Sequence, residues 1–302
     1  MDIIALLSLT TALTQMNIEK GDFDYFKLAL IYPTSVCHAY DGPTKFIAKE
    51  MINDFCKVPV DAAPWTIHGL WPNRYDGSFP QFCGDKEKFN LTKLLPIRQK
   101  LEKEWPNLFT VQPVLSFWKH EWEKHGTCAK VVKEVNDEVK YFNKSLVLCE
   151  QYNIYKMLEK QGIIPSKEKL YDGMSLHRNL TSAYGKNVEF HCLQDKETKN
   201  WLLADVRLCL TKNFQPMDCK KRRWKWQSSK KSLSSAYQPC PADGIVYPPF
   251  RNTRAVNCNS IAVGNVILIL FLMLCSLWNP FILRYQPFQF AHRKVHFAKR
   301  VR

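Results

Sequence analysis

The sequence predicts an α+β fold, and three observations carry that prediction. Short segments rich in aromatic and branched residues, at 27–32, 65–70, 188–193 and 201–211, have the composition of strands. Longer charged and apolar patterns at 91–105, 117–131, 137–150 and 154–161 have the periodicity of helices. The two kinds of segment follow one another without strict alternation, which favours α+β over a doubly wound α/β arrangement. No internal repeat is visible. The organisation is one long mixed domain over 21–250 with an appended tail, and 302 residues at 46% hydrophobic content suffice for a sizeable core.

Before the domain, residues 1–14 contain a short apolar stretch of signal-peptide length, although Asp2 stands where a basic residue is usual. Eleven cysteines, spread along the chain and not grouped as CxxC pairs, point to disulfides in an oxidising compartment instead of a zinc site. Sequons at Asn90, Asn143 and Asn179 agree with that compartment. Together these features predict a glycoprotein of the secretory pathway, lysosomal or secreted.

The formal charge is +15, but its distribution matters more than its total. Seven basic residues lie in 220–231 and six in 279–302, neither stretch containing an acid, so the remainder carries only +2. A broadly basic scaffold for nucleic acid is thereby disfavoured, and a local cationic site is the alternative. The stretch 220–239 reads as a basic exposed loop before Cys240; its two tryptophans among cations could stack on bases, though a solvated variable loop is the simpler reading. Residues 261–278 form 18 uncharged positions, at the lower edge of a membrane span. With the basic tail 279–302 behind it, that segment would tether a lumenal domain by the positive-inside rule; an atypical carboxy-terminal extension is the other reading.

The residues with chemical potential fall in two segments, TIHGLWPN at 66–73 and FWKHEWEKHGTCA at 117–129. On a regular α-helix with His120 at the origin, Lys124, Cys128, Glu121 and His125 fall at roughly 40°, 80°, 100° and 140°. A face that gathers two imidazoles, a carboxylate, an ammonium and a thiol has the composition of an active site, because a core face would not collect so many groups costly to desolvate. The His120-Glu121 pair resembles the start of HExxH, but the second histidine comes at i+5, about 140° away on a regular helix, which argues against a zinc peptidase. Two histidines and a lysine do supply what metal-independent cleavage of RNA requires: a base for the 2′-hydroxyl, an acid for the departing 5′-oxygen and a cation for the phosphorane. Histidine suits both proton transfers, since its pKa of about 6.5 allows one ring to be neutral and the other protonated at mildly acidic pH.

The two segments resemble the paired active-site segments of the ribonuclease T2 family, with animal members closest in kind. The resemblance covers about 23–250 and includes PxxVC at 33–37, YPP at 247–249 and the order of the cysteines. It implies an α+β fold with a central antiparallel sheet. It also implies endonucleolytic cleavage of single-stranded RNA through 2′,3′-cyclic phosphates to 3′-phosphate ends, with no cofactor or metal. Carried onto this chain, His68 would be the general acid and His125 the general base. Glu121 and Lys124 would stabilise the pentacoordinate phosphorus, His120 would help to hold phosphate, and Trp71 would pack near a base. The implied disulfides are Cys37 to Cys56, Cys83 to Cys128, Cys192 to Cys240 and Cys209 to Cys219, which leaves Cys149, Cys258 and Cys275. Many members carry Asp where this chain has Asn73, and Gln-x-Trp-Pro where positions 30–33 read Leu-Ile-Tyr-Pro. Both positions are expected near the recognised bases, so base preference does not carry over. These two departures also sustain a second expectation, a weakly active or inactive glycoprotein ligand on the same fold.

Overall fold

The computed structural model describes residues 21–40, 56–84, 88–110, 113–220 and 237–250. The expected signal peptide, the apolar segment 261–278, the basic tail, Cys258, Cys275 and residues 221–236 of the basic loop lie outside the described residues. Of the two units into which the chain divides, Met1–Arg254 and Ala255–Arg302, only the first contains described residues. Among the described residues no helix is long and apolar enough to cross a membrane.

The centre of the fold is a twisted sheet in the order β2 (Thr66–Asn73), β1 (Tyr25–Ile31), β5 (Trp201–Leu210), β4 (Glu189–Gln194), β7 (Gln238–Pro239). Its pairings along this path are antiparallel. Two-residue strands extend it: β6 (Pro216–Met217) on β5, and β3 (Leu170–Tyr171) on β8 (Ile245–Val246), which joins β5 in a short parallel pair. Strand β1 is buried along its whole length, as a strand covered on both faces must be. Phe26, Leu28 and Leu30 alternate into the main core with Ile67, Trp105, Trp118, Phe142 and Leu146, while Ile31 joins a smaller cluster with Val36, Leu193 and Ala204.

The helices differ from the sequence expectation in instructive ways. Residues 91–105 are not one helix: Pro96 lies inside a 3₁₀ segment, Leu91–Ile97, and α2 (Arg98–Glu104) follows, because proline lacks the N–H that an α ladder needs. The helix expected at 117–131 is a composite. It begins as α3 (Val114–Glu121), continues through a π turn (Trp122–Gly126) and closes with one α turn (Thr127–Ala129). Helices α4 (Glu138–Gln151) and α5 (Ile154–Glu159) start at Asp137 and Asn153, whose side chains cap the N–H groups of Lys140 and Lys156. Two helices had not been expected. One is α1 (Pro33–Tyr40), with proline at its first position. The other is α6 (Gly173–Tyr184), capped by Asp172 and ended by Gly185 in the left-handed region.

Four disulfides tie the described residues: Cys37–Cys56, Cys83–Cys128, Cys192–Cys240 and Cys209–Cys219. Cys149 is a buried free thiol. The YPP segment seals the core end, Trp65 Nε1 donating to Tyr247 Oη at 2.9 Å and Tyr32 Oη to the Pro248 carbonyl at 2.8 Å. Of the three sequons, Asn90 and Asn143 are exposed and Asn179 is half-buried. Asn90 spends its side-chain oxygen on the Thr92 N–H.

Candidate active site

Strand β2 is the edge of the sheet, and its free edge is held by side chains: Trp105 Nε1 donates to the His68 carbonyl at 3.1 Å and Tyr141 Oη to that of Leu70 at 2.9 Å. Opposite β1 the register slips, Ala29 facing Gly69 but Leu30 facing Ile67, so His68 is the additional residue of a β-bulge. A bulge re-aims the side chain it carries. Here it presents His68 edge-on to Trp71, ring centroids 4.9 Å apart.

The second histidine comes from the composite helix. In a π turn, residues i and i+5 stand over one another, and the rings of His120 and His125 are 6.5 Å apart. The 140° separation drawn for a regular helix is therefore corrected to that of a helix interrupted by a π turn. The π turn itself depends on Gly126, since a Cβ there would lie 2.3 Å from the Trp122 ring. A loop clamps this helix in place. Phe82 N–H donates to the Lys124 carbonyl at 2.9 Å, Cys83 N–H to Thr127 Oγ1 at 3.1 Å, and the Cys83–Cys128 bond crosses the same junction.

His68, Trp71, Asn73, His120, Glu121, Lys124 and His125 all line one open cavity of about 850 Å³. Trp71 stands between the two principal histidines, 5.5 Å from the His125 ring, and its Nε1 donates to Glu121 Oε2 at 2.9 Å. That contact needs Gly69, where a Cβ would sit 2.1 Å from Trp71 Nε1 and 2.2 Å from Glu121 Oε2. Asn73 Nδ2 donates to the Trp71 carbonyl at 2.9 Å. Leu30, by contrast, is fully buried in the main core and does not line the cavity. The expectation that it neighbours a recognised base is corrected: on β1 the cleft-facing side chains are Tyr25 and Lys27, and Leu30 has the opposite parity.

The cavity also contains groups that the sequence reading did not single out. Lys27 pairs with Glu189 at 3.0 Å, Arg207 stacks over Trp71 with its charge 5.3 Å from the ring, and Tyr75, Phe79, Lys220 and Tyr237 complete the rim. Lys27 and Arg207 were detectable in principle, since charges within strands as apolar as YFKLALI and WLLADVRLCL require partners.

Burial governs the electrostatics. Desolvation lowers the pKa of His68 to about 4, against the pull of Asp205, and that of His125 to about 2, with Lys124 and His120 adding to the effect. The more exposed His120 is lowered in the same sense by burial and Lys124. Glu121 moves the other way: burial raises it to about 8 despite the Trp71 hydrogen bond and Lys124. At neutral pH these shifts leave uncharged imidazoles beside a protonated carboxyl. Among the described residues no group of three or more His, Cys, Asp or Glu side chains is placed to hold a metal ion.

A disulfide-linked α+β domain whose cleft combines histidines from a strand bulge and a π turn with a buried carboxyl and a lysine has the make-up of an enzyme's cleft. Its kind is given by comparison. The sequence profile of the Ribonuclease T2 family matches residues 23–219. The chain is 34% identical over 261 residues to ribonuclease T2 protein rnst-2 of Caenorhabditis elegans, covering 82% of this chain and 90% of that one. It is 35% identical to ribonuclease Oy of Magallana gigas, covering 77% of this chain and all of the relative. Among solved structures, human RNase T2 superposes with a TM-score of 0.57 at 28% identity, over 76% of this chain and all of that one. RNase NT in complex with 5′-AMP gives a TM-score of 0.59 at 26% identity, with the same coverage. The chain belongs to the Ribonuclease T2 family, a family of endoribonucleases.

Proposed function

We propose that this protein cleaves single-stranded RNA without a metal, by transphosphorylation to 2′,3′-cyclic phosphates followed by hydrolysis to 3′-phosphate ends. The observation that carries the reading is the convergence of His68 and His125, from unrelated elements, on one cleft with Trp71 between them. In the first step His125 takes the proton of the 2′-hydroxyl, the O2′–P bond forms, the P–O5′ bond breaks, and the proton of His68 passes to O5′. Lys124 supplies the fixed cation for the phosphorane oxygens. With its pKa near 8, Glu121 is a neutral donor at working pH, which suits a dianionic transition state better than a second carboxylate would. His120 and Trp71 hold phosphate and base.

Burial is the main cause of the lowered histidine pKa values. A phosphodiester brings the opposite charge and raises them, so substrate arrival itself favours protonation of His68. Efficient cleavage then requires mildly acidic surroundings, in keeping with a secreted or lysosomal setting. Single strands are the substrate because the 2′-hydroxyl must swing into line with the leaving oxygen, which a duplex resists. The sequons are proposed as glycan acceptors, and 261–278 as a membrane tether for a lumenal domain. The test is cleavage of a defined single-stranded RNA at pH 5 with EDTA present, comparing the native sequence with His68→Ala and His125→Ala. Loss of cyclic-phosphate products in both variants, by roughly 10²-fold or more for each lost proton transfer, is the expected result. Undiminished cleavage in either variant would overturn the assignment of that histidine.

A further inference from the structure

Behind His68 lies a charged cluster that the proposed reaction does not use. Asp205, on β5, is fully buried. One of its oxygens is spoken for: Oδ1 meets His191 Nδ1 at 2.7 Å and Arg207 Nε at 2.8 Å. The other, Oδ2, is buried and hydrogen-bonds to no described protein group, and the same is true of Nδ1 of His68. Buried polar atoms without hydrogen bonds are rare, and Asp205 Oδ2 and His68 Nδ1, together with Arg207 Nε beside the carboxylate, call for a common explanation. Asp205 is also the one group that draws His68 towards its protonated form; Arg207, His120 and Lys124 all oppose it. The influence is mutual, since His68 in turn stabilises the Asp205 carboxylate.

We propose that Asp205 is the positioning residue for His68: through one bridging water its Oδ2 accepts the hydrogen bond offered by Nδ1–H, fixing the ring with Nε2 towards the cleft and holding it as the acid. This rests on the reading of His68 as general acid. Strand order explains why Asp205 can do so. Strand β1 lies between β2 and β5, and the bulge that displaces His68 faces Ala29 and Leu30, which themselves pair with Arg207 and Val206. His191 and Arg207 hold the carboxylate ionised, so that Asp205, although burial alone would raise its pKa, titrates at about 2. The arrangement also separates the two histidines. His125 Nδ1 is likewise buried and unbonded, but the groups that act on it electrostatically are Lys124, His120 and His68, with no carboxylate among them. One ring therefore has a partner that favours its proton, and the other does not.

The experiment compares two substrates. RNA needs the leaving 5′-oxygen protonated; a nucleoside 3′-(4-nitrophenyl phosphate) releases a phenolate that needs no acid. The full-length protein is assayed on both as Asp205→Asn and Arg207→Met, alongside His68→Ala, and the His68 ring is titrated by imidazole ¹⁵N NMR. Asp205→Asn should slow RNA cleavage about tenfold or more, the scale of a compromised proton transfer, leave the aryl ester within a few-fold, and lower the His68 pKa. Arg207→Met removes an opposing cation while His191 still holds Asp205 ionised, and should raise that pKa. Damage to the fold would push both variants the same way, so opposite shifts distinguish the electrostatic role. Equal loss on both substrates with an unmoved His68 titration would overturn the proposal. Should His68→Ala itself cleave both substrates equally poorly, the acid assignment fails instead, a result distinguishable from failure of Asp205 alone.

Discussion

Replacing Gly69 by alanine tests the cleft where it is packed most tightly. The new Cβ would stand 2.1 Å from Trp71 Nε1 and 2.2 Å from Glu121 Oε2, two atoms now joined by a 2.9 Å hydrogen bond. Neither can reach an ordinary contact distance without a displacement of about 1 Å, and misplacement on that scale costs on the order of 10²-fold in rate. The buried carboxyl also loses its donor, at about 1–3 kcal/mol. For a domain of this size that corresponds to a fall in Tm of roughly 2–12 °C. The assay is kcat/KM on single-stranded RNA together with thermal unfolding, with Trp71→Phe as a companion that removes the donor without a clash. Wild-type kcat/KM and Tm for Gly69→Ala would refute the claim that the Trp71–Glu121 contact orders the cleft.

The buried groups also predict how stability depends on pH. Between about 4.5 and 6.5 the unfolded chain binds protons at His68 and His125 that the native state does not, whereas the native state binds one at Glu121. From these three groups stability rises with pH in that window by roughly 1.4 kcal/mol per unit, and His120 adds in the same sense. Above 6.5 only Glu121 counts, and its contribution falls as pH rises towards 8. Denaturant unfolding from pH 5 to 9 should show Glu121→Gln gaining on the native sequence from pH 5 up to about pH 8; parallel curves would contradict the burial argument. A third expectation separates the two departures from the family pattern. Leu30→Gln buries an amide in the core and should cost about 2–5 kcal/mol with base preference unchanged. Asn73→Asp removes the donor to the Trp71 carbonyl and should alter preference in a dinucleotide panel, whereas altered preference in Leu30→Gln at unchanged Tm would restore Leu30 to the recognition site.

The sequence by itself determined the class and the cast. Four strands and most of the expected helical stretches were legible because period, composition and capping residues are local properties. Glu121, Lys124 and His125 stood out because polar groups gathered in a short segment are costly to place anywhere but a cleft, whereas His68 was picked out by the family resemblance of its segment. Helix α6 was missed although Asp172 and Gly185 mark both its ends. The disulfide pairing came through family resemblance and not from spacing, since eleven cysteines admit many connectivities.

Tertiary structure decided the rest. That His68 would occupy a bulge depends on the register of β1 against β2, which is set only when the two strands meet. The displacement of Leu30 from the cleft is a matter of strand parity, fixed only when the sheet forms. Lys27, Glu189, Asp205, His191 and Arg207 converge from three strands, of which β1 lies far from β4 and β5 in the chain. Their partnership is a product of strand order β2-β1-β5-β4, because a buried charge is tolerable only beside the partner that the topology brings to it.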